Sequence, residues 1–312
     1  MQQNMSTMFC DMTNLKTIYV SNKFNTNNVT NSSDMFTNSA NLVGGAGTKY
    51  NSSYVDKTYA RIDGGTSNPG YFTDIADKPS TFPTDDWATI VASVKAGNTR
   101  GYKVGETKTV DMGTYGTHTL RIANTSTPSE CSTSGFSQTA CGFVLEFADT
   151  LYQYNMNSSS TNVGGWPVSA MRTFVNKNIY NSLPTELQNA IIDTTVVSGH
   201  GSKSGETNFT STDKLYLLST AEIYTKETID TLNNDSSSNT TRQLDYYKKK
   251  DVSNTNYSDA IKWQGTTGPL RWYLRSAYPS DMNSFHVISY KGNNTYMPAA
   301  NNLGVSPAFR IG

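Results

Sequence analysis

The side chains best equipped for chemistry are scattered along this sequence. His118, His200 and His286 are its three histidines, and none shares a spacing such as HExxH that would turn two imidazoles toward one metal ion. His118 sits in an alternating, strand-like stretch and His200 in the Gly/Ser loop GHGSKSG. His286 lies among Phe285, Ile288, Tyr290 and Tyr296, where it is a candidate contact residue. No GxSxG, P-loop or strand-borne GxGxxG is present, and GGAG and GHGSKSG lack the strand-to-helix setting that cradles phosphate. Glu146, Asp149 and Asp213 are the acids from which a site could be assembled at a distance, but no base stands beside them in sequence. The expectation is no catalytic residue, no metal and no cofactor, hence not an enzyme.

Cys10, Cys131 and Cys141 have no CxxC pairing for zinc. A Cys131–Cys141 bridge and three unpaired thiols are both compatible with this placement, and an odd count says nothing about compartment. A contact surface is what remains. Tyr273, Tyr278, Asp281, Phe285, His286, Ile288, Tyr290, Asn293, Asn294, Tyr296, Asn301 and Asn302 mix rigid aromatics with adaptable amides, the composition that antibody loops use to recognise proteins. These are the candidate ligand-binding residues.

The elements that must carry them are short. Lys+Arg and Asp+Glu balance at 25 each, so no overall field draws in nucleic acid or an anionic membrane. Mean hydropathy is −0.53 with only 16% charged residues, because Asn, Ser and Thr supply the polarity and favour turns and strands. No apolar run approaches the roughly 18 residues of a membrane span, and MQQNMSTMFC lacks the features of a signal peptide, so any export signal lies outside this chain.

At 312 residues two domains are expected, 1–83 and 84–312, parted near DIADKPSTFPTDDW where Pro79 and Pro83 interrupt regular structure. Before it, Met8, Phe9, Asn14 and Leu15 recur as Met35, Phe36, Asn41 and Leu42, a 27-residue offset of the kind that marks a stacked repeat array. After it, Thr84 reads as the N-cap of a helix with Asp85 and Asp86 in its first turn and Gly97 as its stop. VGETKTVDM, HTLRIAN, CGFVLEFA, KLYLLS, RWYLRS and the closing GVSPAFRI read as strands. The block VSAMRTFVNKNIYNSLPTELQNAII reads as two short helices, the second opened by Pro184. Residues 233–256, with a Ser/Asn loop and a Lys run, read as a solvated excursion.

The repeats, with MF, NL and FNTNNVT, resemble BspA-like surface proteins, relatives of the leucine-rich repeats, and GGAGTKYNSSYVDKTYARIDGGTSNPGYFT resembles the segment that ends such arrays. YKVGETKTV, GGWPVSAMRTFVNKNIYNSLPTELQNAI, DKLYLLSTAEIY, RWYLRS and GVSPAFRIG, in that order, resemble a bacterial and phage domain family of unassigned function. That family looks like a branch of the C-type lectin fold, in the version shared by formylglycine-generating enzymes and by the variable proteins of diversity-generating retroelements.

The resemblance implies an α+β fold, a C-type-lectin-like domain preceded by a small truncated repeat module. Trp272, Leu274, Val305 and Phe309 would anchor its core, and Arg275 and Arg310 would donate to buried loop carbonyls. A formylglycine-generating activity would need late reactive cysteines, yet the last is Cys141. Calcium-dependent sugar binding would need a carboxylate beside the Pro of TYMPAANN, and none is there. The implied function is non-enzymatic binding of a protein on another cell or host surface by a variable C-terminal face, in an extracellular, cell-surface or virion setting. Two rivals stand beside it: an adhesin whose repeat module does the binding, and an enzyme on the same scaffold.

Overall fold

In the computed structural model, which describes residues 3–78, 81–99, 101–228 and 235–312, Phe9 lies flat on Phe36 with ring centroids 5.6 Å apart. This contact is one rung of a stack that follows the 27-residue offset. The first of two compact units, Met1–Ser80, carries β1 (Gln3–Asn4), β2 (Ile18–Val20), β3 (Val29–Asn31) and β4 (Phe72–Asp74). β1 pairs with β3 and β2 with β4, both parallel. Between the repeats, Phe9 N donates to Met35 O and Asp11 N to Thr37 O, each at 2.8 Å. The backbone repeats as well: Thr7 and Asp34, then Asp11 and Asn38, adopt left-handed φ values of 55°, 56°, 58° and 61°. Met35, Phe36, Leu42, Tyr71 and Phe72 form the buried centre. Asp63 ties the end of the unit together, accepting from Ala46 N and Thr48 N at 2.9 Å and from Thr48 Oγ1 at 2.7 Å.

The second unit, Thr81–Gly312, begins a few residues before the expected boundary because Phe82 is buried within it, against Trp87 and Tyr102. Pro79 lies outside the described residues. The first helix, α1 (Trp87–Lys95), is capped by Asp86, whose carboxylate accepts from Thr89 N at 2.7 Å. Thr84, the expected cap, is instead hydrogen-bonded to Thr81 in the preceding turn. α2 (Ala170–Phe174) passes through a π turn, Val175–Ile179, into α3 (Tyr180–Ser182). Pro184 takes the cap position of α4 (Thr185–Ala190) rather than its first turn. The short helices α5 (Thr220–Ile223) and α6 (Asp245–Lys249) follow.

Its strands are β5 (Thr107–Asp111), β6 (Thr117–Asn124), β7 (Val144–Phe147), β8 (Tyr152–Tyr154), β9 (Thr194–Ser198), β10 (Phe209–Asp213) and β11 (Tyr216–Leu217), then β12 (Lys262–Trp263), β13 (Pro269–Leu270), β14 (Trp272–Ala277), β15 (Ser284–Ile288), β16 (Asn294–Pro298), β17 (Leu303–Val305) and β18 (Pro307–Arg310). The unit is mixed α+β, built on two five-stranded sheets ordered β11-β18-β7-β6-β5 and β16-β15-β14-β17-β8.

GVSPAFRI is therefore not one strand. It divides at Ser306, and its halves enter different sheets: Gly304 sits opposite Trp272 and Gln153, whereas Phe309 sits opposite Leu145. Ser306 is buried at the division, donating Oγ to Phe147 O at 2.9 Å and accepting from Lys262 Nζ at 2.8 Å. The last ten residues thus fasten both sheets.

Residues 235–256 are not a solvated excursion, and Asn233 and Asn234 lie outside the described residues. Leu244, Tyr246, Tyr247 and Val252 belong to the core, while Lys248, Lys249, Lys250 and the asparagines toward both ends of the segment face outward.

Candidate ligand-binding face

The frame under the face is held by buried charge. Arg275 Nη1 and Nη2 donate to Glu222 Oε2 and Oε1 at 2.6 Å each, while Nε reaches Val197 O at 2.8 Å and Nη1 also reaches Leu217 O at 2.9 Å. Burial alone would lower the guanidinium's pKa, but the Glu222 carboxylate outweighs it and raises it. Arg310 does not act in the same way. Its Nε is buried without a hydrogen-bond partner, and burial lowers its pKa. Trp272, Leu274, Val305 and Phe309 are fully buried around this frame.

The three acids read as a possible distant site are already engaged. Glu146 accepts from Arg121 Nη2 and Lys262 Nζ at 2.8 Å and from Tyr247 OH at 2.9 Å. Burial would raise the Glu146 carboxyl, yet Arg121 and Lys262 hold it low; burial brings the Lys262 amine down to about 8 despite Glu146. Asp213 accepts from Arg172 Nε at 2.5 Å, Ser211 Oγ at 2.7 Å and Trp166 Nε1 at 3.0 Å. Asp149 pairs with His118 Nδ1 at 3.0 Å. Glu146 and Asp213 are thus tied into buried networks, whereas Asp149 stands beside a base, His118, that is remote from it in sequence.

The proposed contact residues divide. Tyr273, Phe285, His286 and Ile288 are buried and cannot touch a ligand without unfolding, which corrects their assignment to the surface. The cause is β15, an interior strand buried at all five positions, so that alternate residues do not reach solvent. Tyr290 (46% exposed), Tyr296 (48%) and Asn302 are exposed, while Tyr278, Asp281, Asn293, Asn294 and Asn301 are half-buried. Tyr278 stacks on Tyr296 and meets the ring of His286 edge-on at 5.5 Å. Asp281 and Asn293 serve their own turns: Asp281 Oδ1 accepts from Ser284 N at 2.7 Å, and Asn293 Oδ1 from Ser289 Oγ at 2.6 Å. Neither amide atom of Asn294 has a hydrogen-bond partner.

Side chains of the frame hold the backbone of this face. Asn162, fully buried, donates Nδ2 to Tyr278 O, Asp281 O and Ser284 O at 3.4, 3.0 and 2.9 Å. Tyr273 OH lies 2.7 Å from Pro298 O and 3.1 Å from Asn301 O. Tyr224 OH donates to Gly292 O at 2.5 Å, at the tip of the β15–β16 hairpin. Gly292 has φ 94° there, and a Cβ would lie 2.1 Å from Tyr257 O, so only glycine fits. Tyr273 is thus a positioning residue.

Sequence reasoning missed several participants. Arg271 lies over the Tyr290 ring at 5.3 Å, and with Gln153, Leu270, Leu303 and Asn302 it lines a groove of about 240 Å³. An Arg before the strand-forming Trp272 was a usable signal for it. Asn162 left no signal, since its stretch NSSSTNVGG reads only as loop. Among the described residues, no helix is long and apolar enough to cross a membrane.

Residues 143–312 match the family described as a domain of unknown function, DUF6273. No curated protein and no solved structure matches the chain.

Proposed function

The chain belongs to this family of unassigned function, and from that footing we propose that it is a non-enzymatic binding protein that presents the β15–β16 hairpin and the adjoining turns to a protein ligand. The observation that carries the reading is the placement of the closing strands. β17 and β18 lock into separate sheets, while the segment just before them exposes Tyr290, Tyr296 and Asn302. A backbone held by Asn162, Tyr224 and Tyr273 lets outward side chains change without loss of the fold. The C-type-lectin-like character of the frame rests on the motif resemblance and is part of the proposal. So is the BspA-like character of the first unit, which the 27-residue stacking supports.

The Cys131–Cys141 disulfide supports an extracellular, cell-surface or virion setting. In its sharper form the proposal holds that a retroelement diversifies the outward positions. A near-copy of this coding stretch differing only at adenines, beside a reverse transcriptase gene, is the expected genomic finding, and its absence removes the sharper form.

The experiment is capture of cell-surface proteins by the full chain, compared with Tyr290→Ala and Tyr296→Ala. Each anchor is worth about 2 kcal/mol, or roughly 30-fold in affinity. Undiminished capture by both variants overturns the proposed face. Loss of capture only when residues 1–83 are altered favours the repeat module as the binding element.

A further inference from the structure

α6 turns Tyr246 and Tyr247 inward and leaves Lys248, Lys249 and Lys250 on the surface. Beside it lies a concavity of about 450 Å³ lined by Lys103, Glu106, Arg121, Tyr246, Lys249 and Lys250, among other residues. Arg121 is its rigid member. Its Nε and Nη2 are held by Glu146 Oε1 at 3.1 and 2.8 Å, and its guanidinium lies 3.7 Å from the centre of the Tyr246 ring. With one edge on a carboxylate and one face on a ring, the guanidinium plane is fixed. Nη1 donates to no atom among the described residues and is not among the buried polar atoms that lack a partner, so it is left for an outside acceptor.

The surrounding charge has the matching sign. Lys103 and Lys249 have no acidic partner among the described residues, and Lys250 pairs with Asp259 at 3.2 Å. Glu106, the one acid in the lining, is turned back to accept from Lys103 N at 3.0 Å and so serves its own turn. Four cations therefore line the concavity with one carboxylate, Glu106. Arg121 is paired with Glu146 and Lys250 with Asp259, which leaves Lys103 and Lys249 as its unpaired cations among the described residues, in a chain whose total charge is zero. Packing of the fold does not require this convergence, since the lysines are exposed. A fixed guanidinium ringed by flexible ammonium groups is the arrangement that holds an oxyanion.

We infer that this concavity binds a tetrahedral oxyanion group, a phosphate or sulfate ester carried on a polysaccharide. A nucleic-acid strand fits it less well, because Tyr246 is buried and offers no open ring on which a base could stack.

The test is calorimetric titration of the full chain with inorganic phosphate and inorganic sulfate at low ionic strength, then with a phosphorylated and a sulfated polysaccharide, which tells the two sources apart. The K103E/K249E double variant changes only exposed side chains, and K16E/K23E, in the first unit, makes the same change in net charge at residues that do not line the concavity. Saturable binding that weakens about tenfold in K103E/K249E and is kept in K16E/K23E is the expected result. No saturable binding of either ion, an equal effect of both double variants, or tighter binding of single-stranded DNA than of either polysaccharide overturns the inference.

Discussion

Tyr278 lies flat on Tyr296, with ring centroids 3.9 Å apart and planes 9° from parallel. The two rings come from different segments, one from the turn that follows β14 and one from the edge strand β16, so the stack joins the turn to the hairpin at the surface. Such a pair contributes about 0.5–1.5 kcal/mol to folding. Tyr296→Ala should therefore lower stability by no more than about that amount in urea unfolding, yet reduce ligand capture by roughly 30-fold. Tyr296→Phe keeps the ring and should keep the stack. A larger fall in stability than in capture would make Tyr296 a structural residue.

Asn162 supports the same turn from below. Replacing it with Ala leaves the carbonyls of Tyr278, Asp281 and Ser284 without their buried donor, at a cost of about 1–3 kcal/mol. The expected signature is local: faster amide hydrogen exchange at residues 278–284 than in β6 and β7. Unchanged exchange there would show that the turn holds itself.

Much of the frame was legible because it obeys local rules. The alternation in KTVD and HTLRIAN, the apolar run in CGFVLEFA and the Asp-rich start of α1 each report on neighbours in sequence. The repeat was legible too, because a stack must match like with like, Phe9 on Phe36. What stayed hidden depends on pairing at a distance. Nothing in SFHVI says that β15 will be covered on both faces, so His286 reads as a contact residue although it is buried. Nothing in GVSPAFRI says that its halves will part at Ser306, because the separating partners, Phe147 and Lys262, are remote in the chain. At the candidate site, Tyr290 and Tyr296 were legible as exposed aromatics, whereas the residues that hold their backbone, Asn162 and Tyr224, were not.

Glu222 and Arg275 are both fully buried, and neither charge has solvent to fall back on. Removing one partner strands the other, for which the expected cost is about 3–5 kcal/mol. Glu222→Gln should shift the urea midpoint of the second unit strongly downward while leaving the first unit's transition in place. Replacing both residues by apolar ones of similar volume should recover part of the loss. A mild effect of the single change would mean that water reaches the pair.

Cys131 and Cys141 are joined across a sequence separation of 10, and Cys10 is the one free cysteine among the described residues. Closing a loop of that length is worth about 3 kcal/mol through the unfolded chain. Thiol titration of the unfolded, unreduced protein should find a single free thiol. Cys131→Ser with Cys141→Ser should destabilise by about that amount and leave the fold recognisable. Three free thiols in protein isolated without reductant would remove the bridge.

His118 carries the clearest pH dependence. Burial by itself would push its imidazole down, but the hydrogen bond and charge of Asp149, 3.0 Å from Nδ1, and the Tyr115 carbonyl, 2.8 Å from Nε2, raise it above its ordinary value. Both ring nitrogens face acceptors, so the doubly protonated ring is the form that the fold prefers. A raised folded-state pKa means that the stabilisation is complete below the unfolded value of about 6.5 and is lost as pH rises through the higher folded value. The difference in unfolding free energy between the wild type and His118→Gln should accordingly be largest at about pH 5.5 and shrink by pH 8.5. Asp149→Asn should flatten the same difference, because it removes the charge that favours the imidazolium. Parallel pH profiles for the wild type and His118→Gln over that window would show that the ring is neutral in the folded protein and that its contact with Asp149 is an ordinary hydrogen bond.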